Sequence, residues 1–213
     1  MEKKQGKKGV KIALIILLIV ILLLIGLLIY RYIVFKDVVA VNEKNIALTN
    51  FSYTMNSKIS HDNEEKLIEM NYWVKDNVAV MKTTIDGEVK LLDWENSNTK
   101  ERLLLSPANN KILETEEMEN VIYKKMPNDL ILNGMQGKEL ELTFNFAIQV
   151  KNTNLEGKEC YLVEYDNHKS WIEKQTGYLL KRELGEQIDE YTYSVNTVTE
   201  KDIQKPSTQG YNK

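Results

Sequence analysis

The chain carries two hydrophobic patterns in succession. From Ile12 to Ile29 all 18 positions are apolar, and beyond Asn50 apolar residues fall on alternate positions. The first pattern predicts a helix in a lipid phase. At roughly 1.5 Å per residue the run is about 27 Å long, close to a hydrocarbon core of about 30 Å. Tyr30, Arg31 and Tyr32 follow it, aromatic rings and a snorkelling guanidinium of the kind that settles at headgroup level. Residues 12–35 therefore read as a transmembrane helix. The bulky Tyr30–Phe35 stretch offers no small-residue cleavage site, so the helix is expected to stay as an anchor rather than leave as a secretory signal.

Residues 36–50 are compatible with a juxtamembrane helix, with Val38, Val41, Asn45 and Leu48 sharing one side. The period then changes from helical to strand-like. Phe51, Tyr53, Met55, Ser57 and Ile59 alternate with polar residues, as do Ile68, Met70, Tyr72 and Val74. Asp76-Asn77 marks a turn before Val78–Ile85, and Asp86-Gly87 is a two-residue hairpin signal of type I′. Val89–Trp94, Thr99–Leu105 and Lys111–Leu113 continue the series. Thr115 reads as the cap of a helix with Glu116 and Glu117 in its first turn and Lys124 and Lys125 in its last, stopped by Pro127. Met118, Val121 and Ile122 would face inward, with Leu130–Leu132 continuing the cover. Strands resume over Glu139–Val150, with Leu142, Phe144, Phe146 and Ile148 on one face, then Glu159–Tyr165, Lys169–Glu173, Tyr178–Leu184 and Asp189–Val195. Short strands joined by turns imply antiparallel order.

Charge supplies the orientation. Of 28 basic and 31 acidic residues, five lysines fall in the first 11 positions, ahead of the apolar run. The positive-inside bias places residues 1–11 in the cytoplasm and residues from about 36 onward outside the cell membrane, in a single-pass arrangement. From Lys36 onward the chain holds 22 basic and 30 acidic residues, which argues against nucleic acid as a partner. The one cysteine, Cys160, allows no intrachain disulfide and reads as a buried packing thiol. His61 and His168, each beside Asp and Asn, read as exposed turn residues, so no metal or cofactor is expected.

Catalytic signatures are equally sparse. Ser97-Asn-Thr-Lys100 and Ser194-Val-Asn196 match fragments of the penicillin-recognising serine enzymes, but Ser97 falls in a turn and no K-T-G follows. The chain is not expected to be an enzyme. Trp73, Trp94 and Trp171 lie on predicted strands and read as core.

The C-terminal half carries the most specific pattern. Gly157-Lys-Glu-Cys-Tyr-Leu-Val-Glu164 precedes Trp171-Ile-Glu-Lys-Gln-Thr-Gly-Tyr-Leu-Leu-Lys-Arg-Glu183, and Tyr193-Ser-Val-Asn-Thr-Val198 leads to Ile203 and Pro206. This resembles the bacterial lipoprotein-localisation carriers, including LolA-like, LolB-like and RseB-type domains, over roughly residues 40–206. The resemblance implies a half-open antiparallel barrel around an apolar cavity for acyl chains. The transmembrane helix departs from that family, whose carriers are soluble or lipid-anchored, so it implies a tethered binder rather than a shuttle.

The combined expectation is an α+β, mainly β chain: a curved antiparallel sheet over residues 51–204, covered by one or two helices, with a disordered tail at 205–213. Its expected role is non-catalytic binding of a lipid, lipoprotein or other hydrophobic ligand at the outer side of the membrane. Tyr53, Met55, Tyr72, Phe144 and Phe146 are the candidate cavity-lining residues. The alternative is a sensory or protein-interaction ectodomain that binds another cell-envelope protein.

Overall fold

The computed structural model describes residues 3–44, 48–61, 64–117, 126–129 and 131–212. One helix, α1 (Lys3–Asn42), is followed by β1 (Asn50–His61), β2 (Glu64–Lys75), β3 (Val78–Ile85), β4 (Glu88–Asn96), β5 (Glu101–Ser106) and β6 (Lys111–Glu117). A short helix, α2 (Glu139–Phe144), then leads to β7 (Gln149–Leu155), β8 (Lys158–Tyr165), β9 (His168–Glu173), β10 (Leu179–Leu184) and β11 (Gln187–Val195).

These eleven strands form one open antiparallel sheet in the order β6-β5-β4-β3-β2-β1-β11-β10-β9-β8-β7. Two meanders are sewn together where β1 pairs with β11, Phe51 opposite Val195 through Ile59 opposite Gln187. The turn chemistry is as the sequence predicts: Asp86 and Gly87 both have positive φ, at 49° and 82°, the pair of angles a type I′ turn requires.

The sheet is covered on both faces. The C-terminal end of α1 lies on the inner face, where Phe35, Val38 and Val39 pack with Leu132, Leu142, Ile148, Val163, Ile172 and Leu179. On the outer face, Trp94, Val80, Leu103 and Leu105 pack under Val198 and Ile203 of the C-terminal segment. The Trp94 indole N–H donates to the Ile203 carbonyl at 3.0 Å.

Five expectations are corrected here. The anchor and the juxtamembrane segment are one continuous helix, which ends at Asn42, and Leu48 and Thr49 lie outside it. Phe35, read as the last membrane residue, is 1 % exposed in the core of the β domain. Thr115–Glu117 extend β6 instead of opening a helix, because Glu117 and Glu116 pair with Glu101 and Arg102; the remainder of that expected helix, residues 118–125, lies outside the described residues. Residues 139–144 form α2 rather than a strand. The tail is ordered: the Ile112 N–H donates to the Asn212 carbonyl, the Asn212 N–H donates to the Asn110 carbonyl, both at 2.8 Å, and Lys205 pairs with Glu101 at 3.1 Å. It thereby satisfies backbone groups at the edge strand β6, which would otherwise stand unpaired.

Candidate functional site

Alternation along β1 places Phe51, Tyr53 and Met55 on the inner face. Tyr53 is flanked by Tyr72 of β2 and Tyr193 of β11, its direct partners across the two ladders. Ring centroids lie 5.0 Å from Tyr53 to Tyr72, 6.1 Å from Tyr53 to Tyr193 and 4.7 Å from Tyr193 to Tyr178. Such tilted pairs suit the ring quadrupoles and form an aromatic band across the middle of the sheet. Burial raises the phenol pKa of Tyr178, Tyr191 and Tyr193, so these hydroxyls stay protonated as donors. The Tyr193 hydroxyl donates to the Leu179 carbonyl at 2.6 Å.

Of the five candidate cavity residues, Tyr53, Met55 and Tyr72 come together on this band. Tyr53 and Met55 pack against the cluster filled by α1, and Tyr72 is buried beside Phe51, Val74, Ala79 and Met126. Phe144 and Phe146 are elsewhere, 57 % and 58 % exposed. With residues 139–144 helical, 142, 144, 146 and 148 share no face: Leu142 and Ile148 turn into the core and the two phenylalanines turn out. Arg31 fixes this arrangement. Its Nε donates to the Thr143 carbonyl at 2.9 Å, its Nη2 donates to the carbonyls of Asn145 and Ile148 at 3.0 and 3.2 Å, and its Cζ lies 4.8 Å from the Phe146 ring centroid.

A cleft of about 620 Å³ opens beside the aromatic band. It exists because β10 pairs with β11 only through Lys181–Leu184, leaving residues 176–180 and 191–193 apart. A bulge between Leu179 and Lys181 helps to separate them, since it puts Ile172 opposite Leu179 but Trp171 opposite Lys181. The cleft is lined by Tyr178, Leu180, Tyr191, Tyr193 and Leu155, together with Lys158, Lys181 and the carboxylates of Glu156, Glu173 and Glu190. A second groove of about 570 Å³ adjoins it at Lys181 and Glu190 and runs along the outer face past Leu67, Ile188, Lys58 and Glu69.

A buried polar cluster also sits on the inner face, and here the sequence reading of His168 is corrected. Its imidazole is buried, with Nε2 3.0 Å from Asp129 Oδ2 and 2.8 Å from Ser170 Oγ. Ser, His and Asp in one place suggest a catalytic triad, but the geometry refuses it. A triad needs the serine and the carboxylate on opposite ring nitrogens, whereas both meet Nε2 here. The cluster is a structural junction. Asp129 Oδ1 accepts the N–H groups of Ile131 and Leu132, each at 2.9 Å, and the Asp129 N–H donates to Asn42 Oδ1 at 3.1 Å. Burial pushes the Asp129 carboxyl up, but hydrogen bonds from His168, Ser170 and the Leu132 N–H outweigh it and hold the carboxyl below its ordinary value. Alternation could have located His168, since it shares a strand face with Ser170 and the inward Ile172.

Cys160 is fully buried, and burial raises its thiol pKa. Ser97 lies in the β4–β5 turn, its hydroxyl donating to the Asn77 carbonyl at 3.2 Å. His61 ends β1. Among the described residues no group of three or more His, Cys, Asp or Glu side chains is placed to hold a metal ion.

No protein-family model matches the chain, and no curated protein is significantly similar to it. Among solved structures, it is similar to a LolA superfamily protein from Nitrosomonas europaea, at 11 % identity over 78 % of this chain and 96 % of that one, TM-score 0.35. It is also similar to a DUF1329 family protein from Desulfovibrio piger, at 7 % identity over 80 % and 95 %, TM-score 0.36. An outer membrane lipoprotein-sorting protein domain from Vibrio parahaemolyticus gives 11 % identity over 79 % and 95 %, TM-score 0.31. Scores this low leave the description of the fold to the strand order and register given above.

Proposed function

We propose that this chain is a membrane-tethered, extracytoplasmic and non-catalytic binding domain that takes a lipid, lipoprotein or other amphiphilic ligand in the cleft between β10 and β11. The cleft carries the reading. Its volume of about 620 Å³ exceeds the ~300 Å³ at which ligand pockets begin. Tyrosine and leucine walls suit an apolar body, while Lys158 and Lys181 are paired with Glu173 and Glu183 at 3.4 and 2.9 Å. Tethering is supported by α1, which over Val10–Asn42 has the length and composition to cross a membrane, and by the lysines that precede its apolar run. Acyl chains are also the ligand class that the sequence resemblance implies.

The experiment is photocrosslinking of the full chain in nanodiscs with a diazirine fatty acid. Adducts are expected on residues 176–180 and 191–193, and Leu180→Glu should reduce them about tenfold while Leu67→Glu in the outer groove leaves them intact. Labelling that ignores Leu180→Glu would reject the cleft as the site.

A second reading, an ectodomain that binds another envelope protein, is favoured by the plugging of the inner face. Phe35, Val38 and Val39 take the central volume that a carrier would leave for its cargo, so recognition would pass to the outer surface or to the open edge strand β7.

A further inference from the structure

α2 and the turn after it expose three large apolar side chains, Leu140 at 60 %, Phe144 at 57 % and Phe146 at 58 %. Their position along α1 gives this exposure meaning. Phe146 lines a groove with Leu27, Tyr30, Arg31 and Val34, so it stands level with the last turns of the apolar run. Arg31 holds the whole segment at that height by donating to the carbonyls of Thr143, Asn145 and Ile148. The neighbouring Tyr30 and Tyr32 are themselves exposed aromatics of the kind found at headgroup level. Leu140 and Phe144 are four residues apart on one helix and share a side.

We infer that Leu140, Phe144 and Phe146 form an interfacial platform that dips into the outer leaflet beside the anchor helix, giving the β domain a second, fixed contact with the lipid surface. The inference rests on the tethered reading above. Its occupant is lipid because the patch is continuous with the lipid-facing surface of α1. Two contacts on one rigid frame restrict rocking about the anchor and set the orientation of the cleft relative to the bilayer.

The test uses the full chain in nanodiscs, with an environment-sensitive NBD label on single introduced cysteines. The native Cys160 is buried, so labelling goes to Leu140→Cys, Phe144→Cys, Leu67→Cys or Leu22→Cys. Leu67, 56 % exposed on the outer face, is matched to Phe144 in exposure. Labels at 140 and 144 should be quenched at least threefold more by lipids spin-labelled at carbon 5 than at carbon 12, with Leu22 showing the reverse and Leu67 neither. If Leu22 is quenched by the deep label while 140 and 144 behave as Leu67, the platform is overturned and the anchor stands. If Leu22 is not quenched either, the anchor reading fails and takes the platform with it. Labels at 140 and 144 that are shielded without lipid quenching would show the patch covered by protein, which also overturns the inference.

Discussion

At the residue scale the junction at Asp129 has the largest consequences. Its carboxylate joins the covering segment through Ile131 and Leu132 and the sheet through His168, while its backbone N–H reaches the end of α1 at Asn42. A charge this deeply buried depends on its partners, and removing one side of such a pair costs about 3–5 kcal/mol. Asp129→Ala is therefore expected to lower the melting temperature by roughly 6–20 °C, at about 2–4 °C per kcal/mol for a chain of this size, as read by circular dichroism. The pH dependence has a definite sign. The folded Asp129 carboxyl titrates below its ordinary value, so its contribution is fully present above the unfolded value of about 3.9 and is lost as pH falls through the lower folded value. Wild type should lose stability over that acid window more steeply than Asp129→Asn; equal slopes would remove Asp129 from the account.

At the scale of elements, α1 does two jobs along one axis. Over Ile12–Leu27 it is apolar on every side and exposed, the composition of a helix able to cross a membrane. Its last two turns bury Phe35, Val38 and Val39 at 1 %, 0 % and 0 % exposure. Each such side chain contributes about 1.5–3 kcal/mol, so these three together rival the stability of a whole domain. A soluble fragment beginning at residue 43 should be molten or aggregated, whereas one beginning at residue 32 should unfold cooperatively, which urea titration by tryptophan fluorescence would show. Matching transitions in the two fragments would contradict the packing assigned to this helix.

Across the whole molecule, two buried Arg–Asp pairs brace the halves of the sheet. Arg102 Nη2 meets Asp93 at 2.8 Å between β4 and β5, and Arg182 Nη2 meets Asp189 at 2.5 Å between β10 and β11. The sheet does not close, so its two edges need separate treatment. β6 is covered by the returning tail, while β7 carries Lys151, a charge of the kind that discourages edge-to-edge pairing. Deleting residues 205–213 should uncover the β6 edge and the Trp94 face, lower stability by about 1–3 kcal/mol and shift the protein toward dimers in size-exclusion chromatography. A tail-less chain that stayed monomeric and equally stable would show that the edge needs no cover.

The sequence by itself determined whatever depends on near neighbours in the chain. Length and apolarity define a helix able to span a bilayer, and alternation defines most strands. Asp86-Gly87 sets its turn because positive φ is a local cost. The tertiary structure decided what depends on distant partners. Glu139–Phe144 has an alternating pattern yet becomes helical, because Leu142 and Ile148 must reach the core beside α1 and Arg31 takes up the freed carbonyls. His168 looks like a turn residue until Asp129, 39 positions away, arrives beside it. Likewise the tail is polar enough to be free, and becomes ordered only because an unpaired strand edge lies within its reach. The physical reason is common to all three: local pattern sets conformational preference, but burial and hydrogen-bond satisfaction are settled between segments that the chain brings together only on folding.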